Sequence, residues 1–421
     1  MKEKICQDKR LHDLSSPCYI IDEVHLKNNF EGFLSALRRA WGSNCNLAYS
    51  IKTNPHKSIL QTALNSGCIA EAVSGEEYKH AASCGFATPN IVFNGPIKTR
   101  EAFECALRSG SIVNIDSKSE LRYLREIFVE DATALSNARI GIRVNFDLEA
   151  VCPGETLTGK AGGRFGFSYE NGELEHVINT INSLNDLDPC DASDNHKKIN
   201  ISGLHMHVTT SSRSVHVYRE LSRFAVKIAR EFSLDLDFVD IGGGFFGGAI
   251  GDEAAYDNYA HEIASELARH FNPENVELII EPGGAVVCTP GYYMGRVLDV
   301  KDTSHGRFVT CDLSRVNIDH EMKKTAYVYE VNTHPKSLDF AQREIMKNQT
   351  LCGFSCMESD RLCVLENEHE LFEGDLMVFK NAGAYSMSFS PGFFIRQAPT
   401  VYFKNASGNY VNQGKSAYCE D

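Results

Sequence analysis

A lysine, two histidines, a glycine run and a glutamate sit where short apolar segments of this chain end, and each brings chemistry of its own. In LAYSIKTN (47–54), Leu47, Tyr49 and Ile51 alternate with Ala48, Ser50 and Lys52, so the lysine shares a face with two small residues. An isolated lysine usually lays its stem along the surface and keeps its ammonium in water. A lysine turned inward is instead placed to lose its proton and attack a carbonyl, because desolvation disfavours the charged amine. In GLHMHVTT (203–210), Gly203, His205 and His207 share one face. DIGGGFFGG (240–248) sets consecutive glycines directly after an apolar segment, where bare backbone N–H groups can close on an anion, although a tight turn would use the same residues. ELIIEP (277–282) delivers Glu281, which only accepts hydrogen bonds when ionised.

The segments that carry these residues repeat in a regular way. NLAYSIK, CIAEAVS, NIVFNG, SIVNIDS, ARIGIRVNF, ISGLHMHV, LDFVDIGGG and ELIIEP read as eight strands between residues 46 and 282. Helical stretches such as HKSILQTALNSG, SGEEYKHAASCG and YRELSRFAVKIAREF lie between them. The pattern predicts an α/β fold, a (β/α)8 barrel, with a doubly wound sheet as the alternative. In a barrel the chemistry gathers where strands end. Those ends carry Lys52, Glu71, Asn94, Asp116, Arg143, Asn145, His205, His207, Gly242 to Gly244 and Glu281. The connection after Phe146 contains CPGETLTGKAGGR, either a lid or a plain surface loop. Beyond residue 290 the texture becomes strand and turn, in GRVLDVKDT, GRFVTCDL, TAYVYEVN, DRLCVLENEHELFEGDLMVFKNAG and PTVYFKN. SPCYIIDEVHL (16–26) reads as a strand leading into a helix. The expected organisation is therefore 1–30 as a segment joining the β domain, 31–290 as the barrel, and 291–421 as the C-terminal β domain.

Composition narrows the partners. A net charge of −14 over 421 residues disfavours nucleic acid and anionic membrane. The start of the chain lacks a signal-peptide core, and no apolar run reaches about 18 residues. The 14 cysteines are scattered without a CxxC pair, so neither a zinc site nor a disulfide framework is expected, and a reducing cytoplasm is the simplest setting. His205 and His207 could begin a metal site, but no third ligand follows at a fitting spacing, and no metal is expected.

One cofactor uses all the parts at the strand ends. Pyridoxal phosphate needs a lysine amine, a partner for its ring nitrogen, support for a ring face and a phosphate cup. Lys52 would hold the aldehyde, Glu281 would keep the pyridine nitrogen protonated, and His207 would lie on the ring.

At these residues the chain resembles the fold-type III pyridoxal-phosphate decarboxylases, the group that includes diaminopimelate and ornithine decarboxylases. YSIKTN resembles the Schiff-base lysine motif, GLHMHVTTSS the segment with the stacking histidine, DIGGGF the phosphate glycines and IIEPGG the motif with the pyridine-binding glutamate. GFSCMESD resembles the stretch that supplies a catalytic cysteine across a dimer interface, and NAGAYSMSFS the stretch with a phosphate-binding tyrosine. The resemblance implies Lys52, Cys356 and His207 as catalytic residues. It implies Gly243, Gly244, Thr210 and Tyr385 around the phosphate, with Glu71, Arg143 and Glu281 completing the cofactor set. It also implies a homodimer whose two chains share each active site, acting on a small amino-acid-type substrate.

The departures concern the substrate. Gly284 stands where the family usually has an arginine, and Met357 where relatives that bind a distal amine place an acid, with Glu358 next to it. Lys323 or Lys324, before Tyr327, stands nearest to the arginine and tyrosine that grip a distal carboxylate in diaminopimelate decarboxylases. A lysine does not reproduce that bidentate fork. Arg164 or Arg315 could supply the positive charge. The expected substrate is thus an amino acid or a conjugate, such as a citrate-linked amine or a carrier-bound amino acid, rather than plain diaminopimelate or ornithine. A racemase of the same barrel and a non-catalytic regulatory relative are the competing readings.

Overall fold

The computed structural model describes residues 8–185, 199–251, 254–319, 323–389 and 397–416. They form two compact units. One contains Asn29–Lys52 and Ile59–Ala285; the other contains the described parts of Met1–Asn28, Thr53–Ser58 and Val286–Asp421.

The first unit is a barrel of eight parallel strands, Cys45–Ser50, Ile69–Ala72, Ile91–Phe93, Ile112–Ile115, Arg139–Asn145, Ile201–His205, Phe238–Asp240 and Glu277–Ile280. Each pairs with the next, and the eighth returns to the first with Leu278 opposite Cys45, which closes the sheet and excludes the doubly wound alternative. Four of the helices that follow strands begin at a Ser or Thr whose side chain accepts a backbone N–H: Ser74, Thr99, Ser117 and Ser214. These caps satisfy otherwise orphaned donors and fix where each helix leaves its strand.

The inside of the barrel is layered. Ala48, Ile69, Val92, Ile112, Phe238 and Ile279 pack as one buried cluster. Two residues further along each of those strands come Ser50, Glu71, Asn94, Asn114, Asp240 and Glu281. Period-two alternation thus turns an apolar floor into a polar rim. Phe238 fills more of the floor than one strand's share, and glycines make room for it. A Cβ at Gly203 would overlap the Phe238 ring, and one at Gly141 would meet both that ring and the Asn114 side chain.

The second unit is a mixed sheet. Strand Cys18–Asp22 lies between Gly291–Thr303, antiparallel, and Thr400–Lys404, parallel, so the N-terminal segment completes the β domain. Strands Ile345–Cys352 and Tyr410–Lys415 belong to this sheet as well. IMKNQTLC does not read as a strand, because Lys347, Asn348 and Gln349 interrupt the alternation and favour turns. Pairing on both sides overrides that local preference. No helix among the described residues is long and apolar enough to cross a membrane.

Candidate active site

Lys52 reaches the barrel rim by a turn. The first strand ends at Ser50, and Ile51–Thr53 form a 3-10 turn, so the alternation that places Ala48 and Ser50 inward does not extend to the lysine. Its Nζ meets Glu71 Oε2 at 2.7 Å, with 40% of the lysine side chain exposed and 1% of the glutamate's. The expected desolvation of Lys52 is thus incomplete within the chain, and a carboxylate holds the ammonium in place. Ser50 Oγ donates to the same Glu71 oxygen at 2.5 Å, and Asn94 donates to the other at 3.2 Å.

Asn94 also donates to Glu281, which joins the lysine side of the rim to the carboxylate opposite. Asn114 holds Asn94 in that orientation by donating to its Oδ1 at 2.8 Å. Glu281 lies beside His205, whose Nε2 is 3.4 Å from its Oε2, and beside Asp240; all three are buried. Burial raises the Glu281 carboxyl, but the charges of His205 and Lys52 and a hydrogen bond from Asp240 more than offset it, so the group lies below the usual carboxylate range. Asp240 moves the opposite way. Burial, and then the Glu281 charge, raise it well above its ordinary value. Two buried carboxyls so close cannot both ionise without cost; Asp240 keeps the proton and Glu281 the charge.

His207 stands parallel to His205, with ring centroids 6.2 Å apart and planes 11° from coplanar. The Gly243 N–H donates to its Nδ1 at 3.2 Å, which leaves the proton of the neutral ring on Nε2. Burial, with help from the Arg143 charge, lowers its pKa to about 3. The glycine run fits closely around it. A Cβ on Gly242 would overlap His207, one on Gly243 would overlap the Glu281 carbonyl, and Gly242 has a φ of +72°. Gly244, at φ +92°, completes the bare stretch.

Arg143 is held by Asp116 at 2.9 Å, and its buried Nε has no hydrogen-bond partner among the described residues. Asp116 also accepts from Gly166 N at 2.6 Å, and Phe165 lies under both Arg143 and Arg164, at 4.6 and 4.1 Å. Thr210 lies on the loop after the sixth strand, bridged to Thr156. Lys52, Glu71, Arg143, His207, Thr210, Gly243, Gly244, Glu281 and Arg164 therefore all belong to the C-terminal rim of one barrel.

The remaining candidates lie in the β unit. Cys356 is exposed, and its loop is braced by Asp360, which accepts from Ser314 Oγ, Arg315 N and Ser355 N. Met357 is half-buried, and Glu358 is exposed and pairs with Arg361 at 2.9 Å. Asp319 gathers Arg315 at 2.9 Å, the Tyr327 hydroxyl at 3.0 Å and the backbone N–H of Lys323 at 3.1 Å. Tyr385, at φ +53°, donates its N–H to Thr53 O at 2.9 Å.

Residues 25–288 match the family described as "Pyridoxal-dependent decarboxylase, pyridoxal binding domain". The chain belongs to that family. It is a carboxy-lyase that uses pyridoxal phosphate. Among its relatives, the diaminopimelate decarboxylase of Methanocaldococcus jannaschii is 24% identical over 96% of this chain and 90% of that protein. The L-glutamyl-[BtrI acyl-carrier protein] decarboxylase of Niallia circulans is 26% identical over 94% and 90%. In the solved structure of the M. jannaschii enzyme the fold recurs with a TM-score of 0.78, at 23% identity over 96% of this chain and 90% of that one. The arginine decarboxylase of Paramecium bursaria Chlorella virus, bound to agmatine, gives 0.73 at 19% identity over 94% and 97%.

The rim of this decarboxylase suits the cofactor. It offers an amine, an acceptor carboxylate kept charged, a neutral imidazole and backbone packed too closely for any Cβ. Asp240, Asn114 and the buried pair of Lys98 with Glu120, whose carboxylate also accepts from Asp116 N, were not among the expected site residues. Asp240 and Asn114 carry a signal in their phase, since each lies two residues beyond an inward apolar residue. Lys98 carries none, because it sits in a loop.

Proposed function

We propose that the chain removes the α-carboxylate from an amino acid or an amino-acid conjugate, as a diaminopimelate-decarboxylase-like enzyme. The observation that carries this reading is the state of Glu281, a buried carboxylate kept charged by His205, Lys52 and a protonated Asp240 and aimed by Asn94. Such a group matches a protonated ring nitrogen and would repel a neutral one. Bound pyridoxal phosphate supplies an electron sink for the charge left when carbon dioxide departs.

The residues divide the remaining work. Lys52 supplies the amine that holds the cofactor aldehyde, and Glu71 keeps that amine at the rim. His207, neutral and fixed by the Gly243 N–H, supports a ring face without adding charge. Gly243, Gly244, Thr210 and Tyr385 receive the phosphate, and Arg143 adds positive charge on its side of the rim. Cys356 of a second copy of the chain gives its proton to the α-carbon after carbon dioxide has left, so two chains share each site. Gly284 and Met357 offer no charge to the distal end of a substrate, which favours conjugates. The relative acting on a carrier-bound glutamyl group supports that choice.

The test is a carbon dioxide release screen over free amino acids, diaminopimelate and amine conjugates, run beside Lys52→Ala. Release from one class is expected, together with loss of the imine absorbance band in the variant. Inversion of an amino acid without gas release would point to a racemase, and an intact band in Lys52→Ala would remove the lysine from its role.

A further inference from the structure

One group of donor atoms outside the cofactor rim has no part in the reaction described above. Cys152, Glu155 and His216 bring a thiol, a carboxylate and an imidazole together, with one donor atom from each lying within 4.8 Å of the others. Cys152 and Glu155 sit on the connection after the fifth strand, whereas His216 lies in the first turn of helix Val215–Glu231, after the sixth. We propose that these three side chains form a binding site for a divalent transition-metal cation, zinc by its donor set.

The donors are unspent. Neither the Cys152 sulfur nor the His216 ring has a hydrogen-bond partner among the described residues. Ser212 and Ser214 both donate to Glu155 Oε2, which leaves its other oxygen open. A carboxylate that only braced the capping turn would explain the two serines, but not a thiol sulfur and an imidazole nitrogen brought within 4.8 Å of it. Hydrogen bonds of this kind to a ligating carboxylate are what hold it in place for a metal.

The scaffold is also assembled in advance. Leu157 N donates to Thr209 O at 3.1 Å, Ser211 N donates to Glu155 O at 2.9 Å, and Thr156 bridges Thr210. Cys152 is 1% exposed and fixed at the end of helix Leu148–Val151 by its N–H to Leu148 O at 2.8 Å. Sulfur, nitrogen and oxygen donors in one set select zinc over magnesium or calcium, which prefer oxygen alone. Three protein ligands leave a fourth position to water. On binding, the thiol releases its proton to solvent and the thiolate becomes the ligand, with no change in oxidation state. A metal there would tie the loop that carries Phe165 and Gly166 against Arg143 and Asp116 to the start of helix Val215–Glu231.

The experiment uses the full-length holoenzyme, stripped by a chelator and dialysed against zinc. Wild type is expected to retain one zinc per chain that Cys152→Ser loses, and His216→Ala should bind it roughly tenfold or more weakly. Cobalt in place of zinc should give a thiolate difference spectrum in wild type only. His216 is exposed, so its variant tests the site even where replacing the buried Cys152 disturbs folding. Wild type that holds no zinc after dialysis, or variants that hold it as well as wild type through other thiols such as the exposed Cys105, would overturn the site.

Discussion

At the residue scale the decisive feature is a proton that one of two neighbouring buried carboxyls, Asp240, keeps while the other, Glu281, stays charged. Asp240 accepts from Gly242 N at 2.8 Å through one oxygen and from Asn114 Nδ2 at 3.5 Å through the other, with a carboxyl oxygen within 4.8 Å of one on Glu281. A neutral amide in its place can still donate to Glu281, so Asp240→Asn should fold and keep cofactor affinity within a few-fold. Asp240→Leu removes the donor and should weaken binding by roughly tenfold to a hundredfold, on the order of 1.4 to 3 kcal/mol; cofactor titration of both variants checks this. His207 makes a prediction in pH. Its ordinary pKa is about 6.5, and the folded protein lowers it to about 3, mainly by burial. Between those values the unfolded chain binds a proton that the folded chain does not. The neutral ring's contribution to stability is therefore full above about pH 6.5 and is lost as pH falls toward 3. Urea midpoints of the cofactor-free protein between about pH 7.5 and pH 5 should fall further in wild type than in His207→Gln. Equal slopes would show that the ring titrates freely.

At the element scale the barrel was legible because its strands are short, apolar and capped by Ser or Thr at the next helix. That gave the phase, and the phase gave Glu71, Asn94, Arg143, His205 and Glu281 at the rim. Lys52 lies at the rim as expected, but strand alternation accounts for that only in part, since a turn carries it there after the alternation has stopped. Lys98 was illegible because its partners, Glu120 and the carbonyls of Gly95 and Asn114, meet only through the fold. Strand Ile345–Cys352 was hidden by its polar residues. Packing inside the barrel gives the element-scale prediction. Gly203→Ala places a methyl group into the Phe238 ring, in a layer with no slack, and should cost about 1–3 kcal/mol. Combining it with Phe238→Leu should recover part of that loss, a coupling that denaturant unfolding of the two single variants and the double variant would measure. Strict additivity would mean that the floor relaxes around the methyl group.

At the scale of the whole molecule the candidate residues are divided between two compact units. Lys52, His207 and Glu281 belong to the barrel, whereas Cys356 and Tyr385 belong to the β unit. Cys356 is exposed on the chain, and an exposed thiol surrounded by water delivers a proton no more selectively than the water does. The role proposed for it requires a surface that dries and aims it, and a second copy of the chain is the partner the reading assigns. Complementation tests this directly. Lys52→Ala and Cys356→Ala chains should each be nearly inactive alone, because every site in either homodimer lacks one of the two groups. Unfolding and refolding an equal mixture lets half the dimers form from unlike chains. Each such dimer contains one site with both groups lost and one with both intact, so activity should return to roughly a quarter of wild type. If tagged unlike dimers are recovered and carbon dioxide release stays at the level of the separate variants, Cys356 acts on the lysine of its own chain and the shared site is wrong.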